Sequence, residues 1–207
     1  MKSVFLNRGK LLAGLAVMLF CSATYAQSDP LEPTWVRPDT DFSVYSKFQV
    51  KPLDVSDVKL LRPPWAQDDP KDWSIEDEDL QLIQDIYRDV MKQILEADGG
   101  YPVVHVAGAD VIQVEVELLS IMPYIRPGKR ETSEGQQYVT LGSGEVNAKS
   151  ELRNSETREL LLLLEGEKTV GEEYKDHTDV NIVANLEHMF TQFATRLRKA
   201  MDRVHGK

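Results

Sequence analysis

The sequence predicts an α+β domain: a mixed, mostly antiparallel sheet of about four or five strands with two amphipathic helices on one face, in the order β-α-β-β-β-α. Three observations carry this. The stretch V-I-Q-V-E-V-E-L-L-S-I at 111–121 alternates, with Ile112, Val114, Val116 and Leu118 on one side and Gln113, Glu115 and Glu117 on the other, the period-two pattern of a strand with one dry and one wet face. Leu80, Ile83, Ile86, Tyr87, Val90, Met91, Ile94 and Leu95 recur at three- and four-residue spacing, and so do Val183, Leu186, Phe190, Phe193, Leu197, Met201 and Val204. Each set makes one broad apolar helix face.

The chain has 207 residues, 42% of them hydrophobic and 28% charged, as expected for one globular domain. Its start is different. Lys2, Arg8 and Lys10 precede the apolar run L-L-A-G-L-A-V-M-L-F at 11–20, and Thr24 and Ala26 are small residues suited to a cleavage site. Residues 1–26 are therefore expected to be a signal peptide, and the mature chain to be periplasmic. The run is short of the roughly 20 residues a membrane span needs, so no transmembrane segment is expected in the mature chain. Cys21 is the sole cysteine, and a lipid anchor there is disfavoured because Phe20 stands where a small residue belongs. Loss of 1–26 removes Lys2, Arg8 and Lys10 and no carboxylate, which takes the net charge from −10 to −13. Such a chain repels phosphate backbones, so nucleic acid is not an expected partner. Without cysteines the mature fold rests on its core.

Taken in order, 27–43 is a Pro-rich linker in which Trp35 is expected to fold back onto the domain, and 44–207 is the single domain. The first strand spans 46–53, with Pro52 at an end or edge. Residues 54–73 have no clear pattern, a length that marks a loop with a role of its own. Ser74 opens the first helix, whose acidic first turn suits the helix dipole. Asp98-Gly99-Gly100 stops it. Residues 101–106 are a short strand or the lead-in to the main strand. A further strand covers 137–153, with a flexible point at Gly142-Ser143-Gly144; whether it is one bent strand or two is left open by its pattern. The connection at 154–157 is tight, and the leucine run 160–164 reads as a strand buried on both faces. The first strand–helix–strand unit is parallel and the later strands antiparallel.

No catalytic constellation is present: no phosphate-binding loop, no dinucleotide glycine pattern, no nucleophile elbow. No enzyme activity and no cofactor are expected. Asp176, His177 and Asp179 are the densest metal-capable cluster and weak candidates for a divalent site, read more simply as a polar turn with helix caps. His105 and His188 read as ordinary strand and helix residues. Glu115 and Glu117 have a spacing that an acid–base pair could use, but alternating Glu is the ordinary solvated face of a sheet. That wet face, with Lys149, and the tryptophans Trp35, Trp65 and Trp73 form the candidate interaction surface; together with Tyr45 and Tyr101 the rings are alternatively a small core beneath the loop. The leading function is a non-catalytic domain that binds another cell-envelope component, a protein partner in the first instance. The alternative is a small-ligand or divalent-metal-binding periplasmic protein.

These parts also resemble a known family. W-V-R-P-D-T-D-F-S-V-Y-S-K-F-Q-V-K-P-L (35–53), Y-P-V-V (101–104), V-I-Q-V-E-V-E-L (111–118) and L-R-N-S-E-T-R-E (152–159) are similar to the bacterial "domain of unknown function 3313" family. The resemblance spans essentially all of the mature chain. It implies an envelope location in Gram-negative bacteria, with many members reading as lipoproteins, and it brings no reaction and no functional residues. The pairing of Phe20 with Cys21 departs from the lipoprotein pattern.

Overall fold

The computed structural model describes residues 33–129, 135, 138–171 and 173–207. The signal segment 1–26, Cys21 and residues 27–32 of the linker lie outside the described residues. The elements run β1 (Trp35–Val36), β2 (Lys47–Val50), β3 (Lys59–Leu60), α1 (Asp77–Glu96), β4 (Val111–Pro123), β5 (Val139–Leu141), β6 (Gly144–Asn154), β7 (Leu160–Val170), β8 (Tyr174–Asp176) and α2 (Asp179–Val204). The main sheet has the order β1-β7-β6-β4-β2, with β3 on the same strand β4.

The alternation along β4 decides the layers. Ile112, Val114, Val116 and Leu118 are buried in one cluster with Ile83, Tyr87, Met91 and Leu95 of α1 and Leu186, Phe190, Ala194 and Met201 of α2. Both helices therefore share one face of the sheet, as the spacing predicts. Each large side chain so buried contributes roughly 1.5–3 kcal/mol. β2 runs parallel to β4, with Phe48 opposite Ile112. β6 and β7 are antiparallel neighbours, with Val114 opposite Leu152 and Leu152 opposite Leu162.

Among the described residues the main sheet has six strands rather than four or five. The additional strands, β1 and β3, have two residues each, too short for a period to show. β3 changes the reading of 54–73. Pro52 lacks an amide hydrogen and interrupts the edge, but the chain continues along β4: the Lys51 amide donates to Val114 O (3.0 Å), Asp54 to Val116 O (2.8 Å) and Leu61 to Ile121 O (2.8 Å). The first part of the expected loop is thus a broken edge strand. β1 lies antiparallel on the leucine strand, Trp35 opposite Leu163.

Two further details differ from expectation. The cap of α1 is Glu76, not Ser74; Asp79 Oδ2 accepts from the Glu76 amide (3.4 Å), and Ser74 Oγ donates to Glu76 Oε1 (3.1 Å). A carboxylate three residues before a second one closes the box as well as the serine would. The expected single stretch 137–153 contains two strands, Val139–Leu141 and Gly144–Asn154, with residue 137 outside the described residues. Gly142 has φ 76°, and a side chain there would put its Cβ 2.5 Å from Gly171 O. Only glycine permits that approach, so the chain breaks at Gly142 and β5 leaves the main sheet to pair with β8 as a separate ribbon.

Candidate functional site

α1 and α2 both begin at the end of the layer where β4 finishes and β6 starts. Between them the apolar face is not filled. A cleft of about 330 Å³ opens there, walled by Ile75, Leu82 and Ile83 from α1 and its lead-in, Leu118, Ile121 and Ile125 from β4 and beyond, Val146 and Val170 from β6 and β7, and Ile182, Leu186, Met189 and Phe190 along α2. Its lining is chiefly aliphatic. A volume of this size sits at the small end of the roughly 300–1,000 Å³ range of ligand sites. A second cavity of about 60 Å³ shares Leu118, Val146, Met189 and Phe190 with it and reaches Tyr87.

The polar residues of the cleft are Ser74, Glu76, Asp79, Lys129, Ser143, Glu145, His177 and Asp179. Glu76, Asp79 and Asp179 stand at the helix starts. One amide at each start has a side-chain acceptor: the Glu76 amide donates to Asp79 Oδ2 (3.4 Å) on α1 and the Asn181 amide to Thr178 Oγ1 (3.3 Å) on α2. Lys129 is the lysine of the rim, and its Nζ bonds Asp68 Oδ1 at 2.9 Å. That hydrogen bond lifts the Lys129 pKa and, in return, holds the Asp68 carboxyl below its usual range. His177 is 7% exposed. Its backbone amide donates to Tyr138 O (2.6 Å), yet its ring Nδ1 is buried without a partner among the described residues. Burial lowers the His177 pKa, against an opposing pull from Asp179, so the ring is held neutral.

The sequence candidates distribute as follows. Of the three metal candidates, His177 and Asp179 line the cleft while Asp176 is exposed on β8, where its carbonyl accepts from Asn181 Nδ2 (2.8 Å). Among the described residues no group of three or more His, Cys, Asp or Glu side chains is arranged to hold a metal ion. Trp35, Glu115, Glu117 and Lys149 share the face away from the helices; register puts Trp35, Leu163, Glu151 and Glu115 in one row. Trp35 is 41% exposed. The other tryptophans are elsewhere. Trp65 is 60% exposed with its ring 5.7 Å from Tyr124, and Trp73 is half-buried just before α1. Tyr45 and Tyr101 belong to the core. His105 is exposed, and His188 pairs with Gln192 on α2 (2.8 Å).

The open face is wired to itself. Lys149 Nζ bonds Glu151 (2.7 Å), Arg158 bonds Glu115 (2.7 Å), Arg153 reaches Glu115 at 3.3 Å and also bonds Glu151, and Gln113 donates to Glu115. Burial pushes the Glu151 carboxyl up, but the bonds from Lys149 and Arg153 outweigh it and the net shift is downward. Gln113, expected on a wet face, is 1% exposed beneath this network. A shallow polar groove of about 370 Å³ runs between it and the Pro52 break.

The cleft is what the sequence reading missed. Its wall residues are ordinary apolar positions of α1, β4 and α2, indistinguishable from core. Ile75 and Ile125 lie outside any periodic stretch and are its one sequence signal.

Among solved structures the chain is similar to the PelC dodecamer from Paraburkholderia phytofirmans, at 7% identity, covering 81% of this chain and 97% of that one, with a TM-score of 0.38. It is also similar to a protein from Xanthomonas campestris assigned to DUF330, at 13% identity over 84% of this chain and 94% of the other, TM-score 0.40. The search of curated proteins returns no match. No helix of the described residues is long and apolar enough to cross a membrane. With residues 22–197 matched, the chain belongs to the family described as protein of unknown function (DUF3313).

Proposed function

We propose that the protein is an exported, non-catalytic domain of the cell envelope, periplasmic after loss of residues 1–26, that binds an apolar part of another envelope component in the cleft between the two helix starts. The cleft itself carries this reading: about 330 Å³ of aliphatic-lined space, continued inward by the smaller cavity of about 60 Å³. Apolar space that a folded core leaves empty forfeits contacts on its walls, and an apolar ligand restores them. The proposal of a non-catalytic role rests on the site's composition: the lining is chiefly aliphatic, and its two serines bond Glu76 and Asn185 rather than the buried histidine.

The test is saturable binding of the fluorescent probe N-phenyl-1-naphthylamine to the purified protein. The expected result is one site, weakened more than tenfold by Ile182→Trp, which fills the cleft from its rim, with the thermal midpoint held. Absence of saturable binding, or equal binding by the variant, contradicts the reading.

A second reading, docking of an envelope protein on the open face, is favoured by the exposed Trp35 in its row with Leu163 and Glu151. In-cell cross-linking through Lys149 that recovers a single recurrent partner supports it; recovery of uncross-linked protein alone sinks it.

A further inference from the structure

The cleft is apolar within and acidic at its edge. Leu82 of α1 lines it and is 44% exposed, and Ile182 of α2 lines it half-buried. Glu76 and Asp79 also line it, and both are exposed at the start of α1. Asp79 precedes Leu82 by three residues, so carboxylate and leucine share one helix face about a turn apart. Asp179 stands in the same relation to Ile182 on α2. Apolar wall and acidic rim are therefore parts of one surface.

The α1 carboxylates meet neutral donors. Among the described residues Glu76 Oε1 accepts from Ser74 Oγ (3.1 Å), and Asp79 Oδ2 accepts from the Glu76 amide (3.4 Å). A helix start carries only about half a positive charge, which two carboxylates outweigh. Asp77 and Glu78 of the same turn add to them. Lys129, the lysine of the rim, is bonded to Asp68 (2.9 Å).

We propose that the cleft receives a basic amphipathic helical segment of another envelope protein. Its apolar side chains enter between α1 and α2, and its lysines or arginines lie against Glu76 and Asp79. This rests on the cleft being the binding site and names the chemistry of the partner. The rim selects the sign of the charge, since exposed carboxylates attract cations and repel an anionic chain. Several carboxylates on one turn select a segment with several cations over a single-headed amphiphile, which brings one. A volume near the lower bound for ligand sites takes a few side chains from one helix face rather than a folded surface. The backbone of a helical segment bonds within itself and leaves no amide or carbonyl stranded against the aliphatic wall.

The experiment uses two synthetic peptides of about 14 residues with the same leucine pattern at helical spacing, one with lysine and one with glutamate elsewhere. Each carries fluorescein and is read by anisotropy, with unlabelled N-phenyl-1-naphthylamine as competitor. Wild-type protein is expected to bind the lysine peptide about tenfold more tightly at low salt, to lose most of that preference at high salt, and to release the peptide as the competitor is added. Ile182→Trp is expected to weaken the lysine peptide by more than about tenfold. Glu76→Gln with Asp79→Asn keeps the hydrogen-bond acceptors and is expected to weaken it by about threefold to tenfold. The same change of charge at Asp77 and Glu78, outside the lining, is expected to weaken it by about twofold at most.

Equal binding of the two peptides by wild type overturns the inference, as do equal losses in the two double variants. Should a double variant fail to fold, the wild-type comparison and the competition decide alone. Stronger competition by dodecylamine than by unlabelled lysine peptide gives the site to a single-headed amphiphile and overturns the segment. If N-phenyl-1-naphthylamine binds with saturation and does not compete with the lysine peptide, the segment is excluded while the cleft remains a binding site. If the probe does not bind, both readings fall.

Discussion

The two ends of the helix–sheet layer are built from the same elements and finished in opposite ways. At the end where β4 begins, Phe48 and Tyr101 meet edge-on with ring centroids 5.8 Å apart. Tyr101 donates its hydroxyl to Asp202 (3.0 Å), His205 Nε2 meets Tyr45 O (2.8 Å), and Arg198 donates to Ile94 O (3.1 Å). Burial and the Asp202 bond push the Tyr101 phenol up to about 12. Rings fill the space and every polar atom named has a partner. At the end where β4 finishes, the wall is aliphatic, the space is open, and His177 Nδ1 is unmatched. The contrast teaches that an amphipathic pattern fixes which face is buried but not whether it is filled; filling depends on side-chain bulk at particular positions.

The largest expected effect tests the closed end. Phe48→Ala removes a fully buried ring and should lower stability by about 3–5 kcal/mol in denaturant unfolding. The equivalent truncation at the open end, Ile182→Ala, removes a half-buried side chain facing empty space and should cost about 1 kcal/mol or less. Equal losses at the two positions would erase the distinction.

Smaller changes sharpen it. Tyr101→Phe keeps the ring and loses the bond to Asp202, with an expected loss of about 1 kcal/mol by thermal unfolding. His177 tests the open end through pH. Burial depresses its folded pKa, so the unfolded chain takes up a proton first as the pH falls. Its neutral burial costs nothing above the ordinary histidine value of about 6.5, and stability is lost as the pH falls below that toward the folded value. His177→Phe should flatten this part of the wild-type stability profile below about pH 6.5; parallel profiles would contradict the burial. The smallest effect belongs to the outer face. Lys149→Met breaks a partly exposed pair with Glu151 and should change stability by about 1 kcal/mol or less, with less change at high salt.

Much of the fold was legible because it depends on long periodic stretches. The alternation in β4 and the apolar spacing of α1 and α2 identify the layers, the parallel β2–β4 pair and the shared face. β1 and β3 were not legible, since two residues show no period and their pairing comes from partners far along the chain. Ser74 lost the cap to Glu76 because a carboxylate can close the same box. The site was legible in one respect only. His177 and Asp179 stood out as polar residues at a helix start, and the structure places both at the cleft. Their grouping with Asp176 into a metal cluster reflects adjacency in sequence; among the described residues no three such side chains are arranged to hold an ion. The cleft itself was hidden because a void has no sequence signature: Ile121, Leu186 and Phe190 look the same whether their neighbours touch them or not.

The most direct test of the open end as a binding site is methyl NMR of isoleucine-labelled protein titrated with N-phenyl-1-naphthylamine. The account expects shifts at Ile75, Ile83, Ile121, Ile125 and Ile182, which line the cleft, and none at Ile94 and Ile112 in the filled layer. Shifts spread evenly over both sets, or none at the cleft residues at saturating ligand, would contradict it.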